Sequence, residues 1–415
     1  MILKYRILST LFAICFLANS QVQETNPPDF IKTIKFKSDT PESQLPILRL
    51  GEPVILEFDA LNNNEEDFYY EIEHYNFDWT KSVLAKAEYL RGADNFRIID
   101  YFNSFNTYQI YSHYKLTIPN QQTRALTKSG NYMIYVYDDY GELMFSRKFM
   151  IYEPLVNVGV SVKRSRDVKQ IAEKQSIDIN INSSVVNFNN PNETVKVLVI
   201  QNNNLYTAID DLKPQYTLGN ELIYRYTNES AFYGGNEYLY FETRDLRAAS
   251  VGVQFINLQD LYNTYLFTNT SRKGSPYTYF PDVNGNFVIT AIDREDMDVE
   301  ADYSQVHFSL AINEIKDRDV YVYGNYNNYA LEDLNRMEYN PETRNYECTF
   351  RLKQGFYNYK YVTMDDDGNF DENAISGSYW ETENNYKVLA YYRDLGTRYD
   401  RLIGFGEINS VAITN

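Results

Sequence analysis

Cysteine, histidine and tryptophan are nearly missing from this chain of 415 residues, which carries 2 Cys, 3 His and 2 Trp. Cys15 lies in an N-terminal stretch with the marks of a removable leader, so Cys348 would stand alone and no intrachain disulfide is expected. Stability must then come from packed cores. The histidines show no zinc-hydrolase pair at helical spacing, and no Gly-x-Ser-x-Gly elbow is present to hold a nucleophile. Positive charge is also short: 39 Lys and Arg face 57 Asp and Glu, a formal charge of −18. Binding nucleic acid or anionic lipid draws on clustered basic groups, so neither is expected as the main partner. No apolar run of membrane length follows residue 20, and no direct membrane insertion is expected.

The first residues read as a secretion signal. Lys4 and Arg6 supply a basic start, Ile7 to Ala18 carry no charge, and Ala18-Asn19-Ser20 sets small residues where a signal peptidase looks. Cleavage is expected between Ser20 and Gln21, making residues 1–20 the signal peptide. Cys15 does not fit a lipoprotein site, because Ile14 precedes it and Phe16-Leu17 follow it. A periplasmic chain, or one at the periphery of an outer membrane, is the expectation.

What is abundant is aromatic residues, with 40 Tyr and 24 Phe. These side chains suit pleated, half-buried surfaces, and period-two alternation runs through the chain where helical stripes are hard to find. The expected fold class is therefore all-β, built of tandem immunoglobulin-like or early-set β-sandwich domains. Two short runs within Ile47 to Asp59, broken at Gly51 and Pro53, and runs at Tyr69 to Tyr75 and Tyr111 to Ile118, with a hairpin around Asp138-Asp139-Tyr140-Gly141, mark a first sandwich over residues 28–153. A second is expected over 154–302, where Leu258 to Asp302 either closes it or links it onward. A third sandwich and tail would occupy 303–415.

Candidate chemistry is sparse. His74, His113 and His307 fall in separate strands, where hydrogen-bonded structural histidines are the ordinary outcome; a base for Ser112 or Ser309 is a formal alternative. Asp365 to Asn373 resembles a calcium loop, but aligning Gly368 leaves Thr363 and Ala374 at two essential ligand positions, so an Asp367-Gly368 hairpin turn explains it better. Asp293, Glu295 and Asp296 suit a solvated loop, and Gly404 and Gly406 lack the helix that phosphate binding needs. Trp79 is expected to pack across the first core. No catalytic residue, cofactor or metal site is expected.

Two resemblances add to this. The segment from Asp319 to Tyr329, followed by Gly355-Phe356-Tyr357-Asn358-Tyr359-Lys360-Tyr361, resembles early-set sandwiches of glycan-binding modules over residues 303–395. It implies a fold, and leaves carbohydrate binding through Tyr326 or Tyr329 as an alternative function; Trp380 is the region's one tryptophan. More extensively, His74 to Ser82, Glu88 to Gly92, Ser112-His113-Tyr114, Ser129 to Tyr132, Arg147 to Met150 and Arg398 to Gly404 together resemble the Plug family of the Bacteroidota type IX secretion system. That resemblance implies a non-enzymatic periplasmic protein, peripherally associated with the outer membrane. It would dock on the periplasmic face of the giant outer-membrane translocon barrel and seal its opening at rest. It assigns no contact residues; Tyr and Asn in loops suit such a role.

Overall fold

The computed structural model describes residues 22–38, 44–62 and 64–413; the expected signal peptide and its cleavage site at Ser20 and Gln21 lie outside these. The chain is all-β. Among the described residues the α-helices are single turns of 4 residues, Lys86–Tyr89, Pro191–Thr194 and Met297–Glu300, and no helix is long and apolar enough to cross a membrane.

Alternation decides which way each strand faces. In the strand Tyr69–Tyr75, Tyr70 and Ile72 are buried while Glu71 and Glu73 are not. This strand joins a sheet with Ile47–Arg49, Leu143–Tyr152, Gly130–Tyr137 and Phe96–Arg97. The expected hairpin is present: Gly141 sits at φ 84°, and the Asp138 carboxylate accepts the amides of Tyr140 and Glu142. A facing sheet runs Ile31–Lys37, Val54–Ala60, Ser112–Ile118, Asp100–Asn103. Between the two lies an aromatic core in which Phe58 stacks on Tyr114 at 5.2 Å and Phe36 meets Phe149 edge-on at 5.5 Å.

The other sheets cross the ranges expected from the sequence. Val195–Gln201, apolar on both faces, pairs with Asn204–Ile209 on one side and with Asn385–Tyr392 on the other, and Arg401–Asn409 completes that sheet. It faces the sheet of Asn157–Arg164, Lys174–Asn182, Glu221–Tyr224 and Tyr216–Leu218. The second unit therefore takes two strands from the C-terminal stretch. In exchange, Leu239–Glu242, Val253–Leu258, Tyr262–Leu266 and Phe287–Ile289 join the 11-stranded sheet of the third unit, around Tyr303–Ala311, Arg318–Tyr323, Asn345–Lys353 and Gly355–Asp365. Alternation identifies a strand and its buried side; it carries no record of which distant strand will pair with it.

Gly404 and Gly406 are strand glycines. A Cβ on Gly404 would come within 2.3 Å of Val156 Cγ2, and one on Gly406 within 2.5 Å of the Val158 carbonyl, so close sheet packing requires both.

Candidate functional site

The first unit is covered on both of its outer faces. In the strand Val54–Ala60, Leu56 and Phe58 enter its own core while Glu57 and Asp59 point away, where alternation alone would place them in water. They are nevertheless buried, because the third unit lies over them. Asp59 faces His113 Nδ1 at 2.6 Å through one oxygen, and its other oxygen accepts from Lys353 Nζ at 2.7 Å and Tyr303 OH at 2.6 Å. Lys353 also donates to the carbonyl of Asp298 and lies 4.2 Å from the centre of the Tyr111 ring. Beside this group, Lys35 bridges Glu57 and Asp298, at 2.7 Å to each.

Burial opposes the charge on Asp59, but Lys353 and His113 more than offset it and hold the carboxyl at about 2. Glu57, His113 and Asp298 have the spacing of a metal-ligand set. The chain supplies its own cation there: the Lys35 ammonium already sits between the two carboxylates. Asp302 extends the same seam, accepting the amides of Tyr108 at 2.7 Å and Gln109 at 3.1 Å. Sequence reading missed this network, since Asp59 and Lys353 are 294 positions apart. The available signal was acidic residues at two successive outward positions of an otherwise apolar strand.

The opposite face meets the second unit differently. Tyr75, Met133 and Met150 pack on Leu198, Leu389, Tyr391 and Leu402. Trp79 belongs to this seam rather than to the first core: a tight turn, with Trp79 N donating to the Asn76 carbonyl and φ at 58°, lifts the ring to the outer face, where Lys148 lies over it at 4.4 Å. Amides align the seam. Tyr391 OH donates to Asn131 Oδ1 at 2.6 Å, Asn131 Nδ2 to the Asn76 carbonyl at 2.9 Å, and Phe77 N to Asp400 at 3.1 Å. Arg401 pairs with Glu153 at 2.8 Å, and Arg398 pairs with Glu88. Segments widely separated in sequence, His74 to Ser82 and Arg398 to Gly404, thus meet at one place. The second and third units also touch: Asn204 Nδ2 donates to Tyr323 OH at 2.7 Å and Tyr329 OH to the Asn202 carbonyl at 2.8 Å.

The three histidines remain apart. His74 is buried with Nε2 3.1 Å from the Ser129 carbonyl, and burial lowers it to about 4. His307 stacks on Tyr265 at 4.0 Å and bonds to Asn263 and Thr349. His113 does sit beside a carboxylate, but inside the ionic seam. Ser112 donates to Asn103, and Ser309 Oγ accepts from Thr268, so neither is paired with an imidazole. Asp365 spends its carboxylate on the amides of Asp367 and Asn369, at the turn where Gly368 takes φ 81°. Asp296 caps the Met297–Glu300 turn and Asp293 pairs with Arg247. Tyr329 is buried, which removes it as a sugar platform. Tyr326 donates to the Val322 carbonyl, stacks on Phe350, and lines a cavity of about 510 Å³ between the strand Ile31–Lys37 and the third unit. Trp380 lies under Arg164 at 4.5 Å.

An all-β chain of interlocked sheet units, with a buried ionic network between the first and the third, is the class that fold and site define. Residues 31–153 match the family model described as type 9 secretion system plug protein, 1st domain. A solved structure, titled as a hypothetical protein from Parabacteroides merdae ATCC 43184, is 34% identical over 93% of this chain and 98% of that one, with a TM-score of 0.89. No curated protein matches. The chain belongs to the type 9 secretion system plug protein family.

Proposed function

We propose that the chain is a periplasmic plug that binds the outer-membrane translocon barrel of the type IX secretion system and closes its periplasmic opening in the resting state. One observation carries the reading: both outer faces of the unit that matches the plug family are covered by other units through buried contacts. A body that stops a wide pore must hold its shape under load. Modules on free linkers would yield, whereas packed and hydrogen-bonded seams resist bending. The acidic surface suits a protein partner better than a lipid one.

In this reading the chain matures by cleavage between Ser20 and Gln21 and stays at the outer-membrane periphery without inserting. The first unit is an immunoglobulin-like sandwich over residues 28–153. The third is early-set-like, and the second interleaves with it. Catalysis, cofactor and metal have no part. The test is capture from an envelope extract with the tagged mature chain. A very large outer-membrane barrel should be recovered with it; recovery of soluble glycan alone, or of no barrel, contradicts the proposal.

A further inference from the structure

We propose that the aromatic ribbon of residues 96–110, with the arginine-bearing cleft beside it, is the face through which the chain docks on a protein partner whose matching surface is apolar and carries a carboxylate. The inference rests on the plug reading and assigns its contact surface.

Phe96–Arg97 and Asp100–Asn103 are the terminal strands of the two sheets of the first unit. Along them and the loop that follows, Ile99 is 74% exposed, Phe102 61%, Phe105 68%, Tyr108 55% and Ile110 55%. Single exposed apolar side chains are ordinary, but such a concentration in one short segment marks an interaction surface. The segment is also held in place. Ser104 N donates to the Tyr111 carbonyl at 2.8 Å, Phe105 N to the Val299 carbonyl at 2.9 Å, and Asp302 takes the amides of Tyr108 and Gln109. A ribbon fixed by the third unit loses little freedom on docking, so more of its apolar area is converted to affinity.

Charge selects the occupant. Tyr108 meets Tyr262 edge-on at 5.2 Å, and both line a cleft of about 330 Å³ together with Arg244, Arg247 and Arg294. Arg244 pairs with Glu242, and Arg247 with Asp245 and Asp293. Arg294 lies within 4 Å of no carboxylate among the described residues, although Glu300 is near enough to feel its charge. Asp245 and Asp293 in the same lining are held by Arg247, and Asp302 by the amides of Tyr108 and Gln109, so Arg294, in no close pair and beside exposed aromatics, is the group that complements a partner carboxylate, in the pattern of an apolar interface center with a polar rim. An anionic lipid surface fits poorly, because Glu65, held by Tyr101 and Asn103, and Asp100 stand among the apolar side chains.

The test uses the full chain in intact envelopes, with a photo-cross-linking residue at Phe102 or Phe105, and at Val168, 84% exposed on a turn of the second unit, as control. Cross-links from positions 102 and 105 to a large outer-membrane barrel, with none from 168, are expected. In parallel, Phe102→Ser with Phe105→Ser should lower barrel recovery at least about tenfold at an unchanged melting temperature, and Arg294→Glu by about threefold. Cross-links to lipid, or cross-links to the barrel from 168 but not from 102 and 105, overturn the assignment. Full recovery by the serine variant overturns the docking face and leaves the plug reading standing; failure of the unsubstituted chain to recover any barrel overturns both.

Discussion

The seam between the first and second units is apolar and aligned by amides, whereas the seam between the first and third is built on charge. Trp79, Met133 and Met150 meet Leu198, Leu389 and Leu402 on one side; Asp59, His113, Lys353 and Tyr303 meet on the other. Apolar area stabilizes with little regard to orientation. A buried carboxylate that must satisfy an ammonium, an imidazole and a phenol at once accepts one arrangement and penalizes the rest. The first seam therefore supplies most of the cohesion between units, and the second fixes the angle at which they are held.

Losing a partner from the ionic seam should have the largest effect. Lys353→Ala removes the ammonium from a buried carboxylate and leaves Asp59 with only His113 and Tyr303, which should cost about 4 kcal/mol by urea unfolding, while Asp59→Leu with Lys353→Met should cost far less than the sum of the single changes. An additive double variant would contradict the pairing. Next comes a pH effect. Burial holds His74 neutral down to about 4 against an ordinary 6.5. The unfolded chain takes up this proton first, so the contribution is complete above pH 6.5 and falls, by about 3 kcal/mol, as pH drops toward 4. Glu237 has the opposite sign: burial raises it to about 7 from an ordinary 4.5, so its contribution is complete below 4.5 and is lost as pH rises through about 7. His74→Gln should flatten the acid limb of a melting-temperature profile, and Glu237→Gln the neutral limb; unchanged limbs would count against both assignments.

Smaller changes probe the apolar seam. Trp79→Leu should cost about 2 kcal/mol in urea unfolding, through lost contact with the second unit. Tyr391→Phe, which deletes the hydrogen bond to Asn131, should cost about 1 kcal/mol. If Trp79→Leu proves harmless while Lys353→Ala is severe, cohesion as well as orientation lies with the ionic seam.

Much of this was legible in the sequence. The strands of the first unit follow from alternation, and the turns at Gly141 and Gly368 follow from residue type. Strand exchange between the second and third units was not legible, because the partner of Val195–Gln201 lies beyond position 384 and alternation is silent about long-range register. Trp79 was assigned to the first core because nothing in a linear pattern says which face of a sheet a left-handed turn will serve. The burial of Glu57 and Asp59 is not legible for a related reason: what covers them is a distant part of the same chain. The ribbon at 96–110 was hidden as well, since Ile99, Phe102 and Phe105 stand out only once burial distinguishes them from the core aromatics.

Outer-membrane permeability in cells that lack the chain tests the sealing claim most directly. Uptake of a bulky solute that ordinary porins exclude should rise without the chain, return to the basal level with the unsubstituted chain, and stay raised with the Phe102→Ser, Phe105→Ser variant. Uptake that is the same with and without the chain would contradict the account.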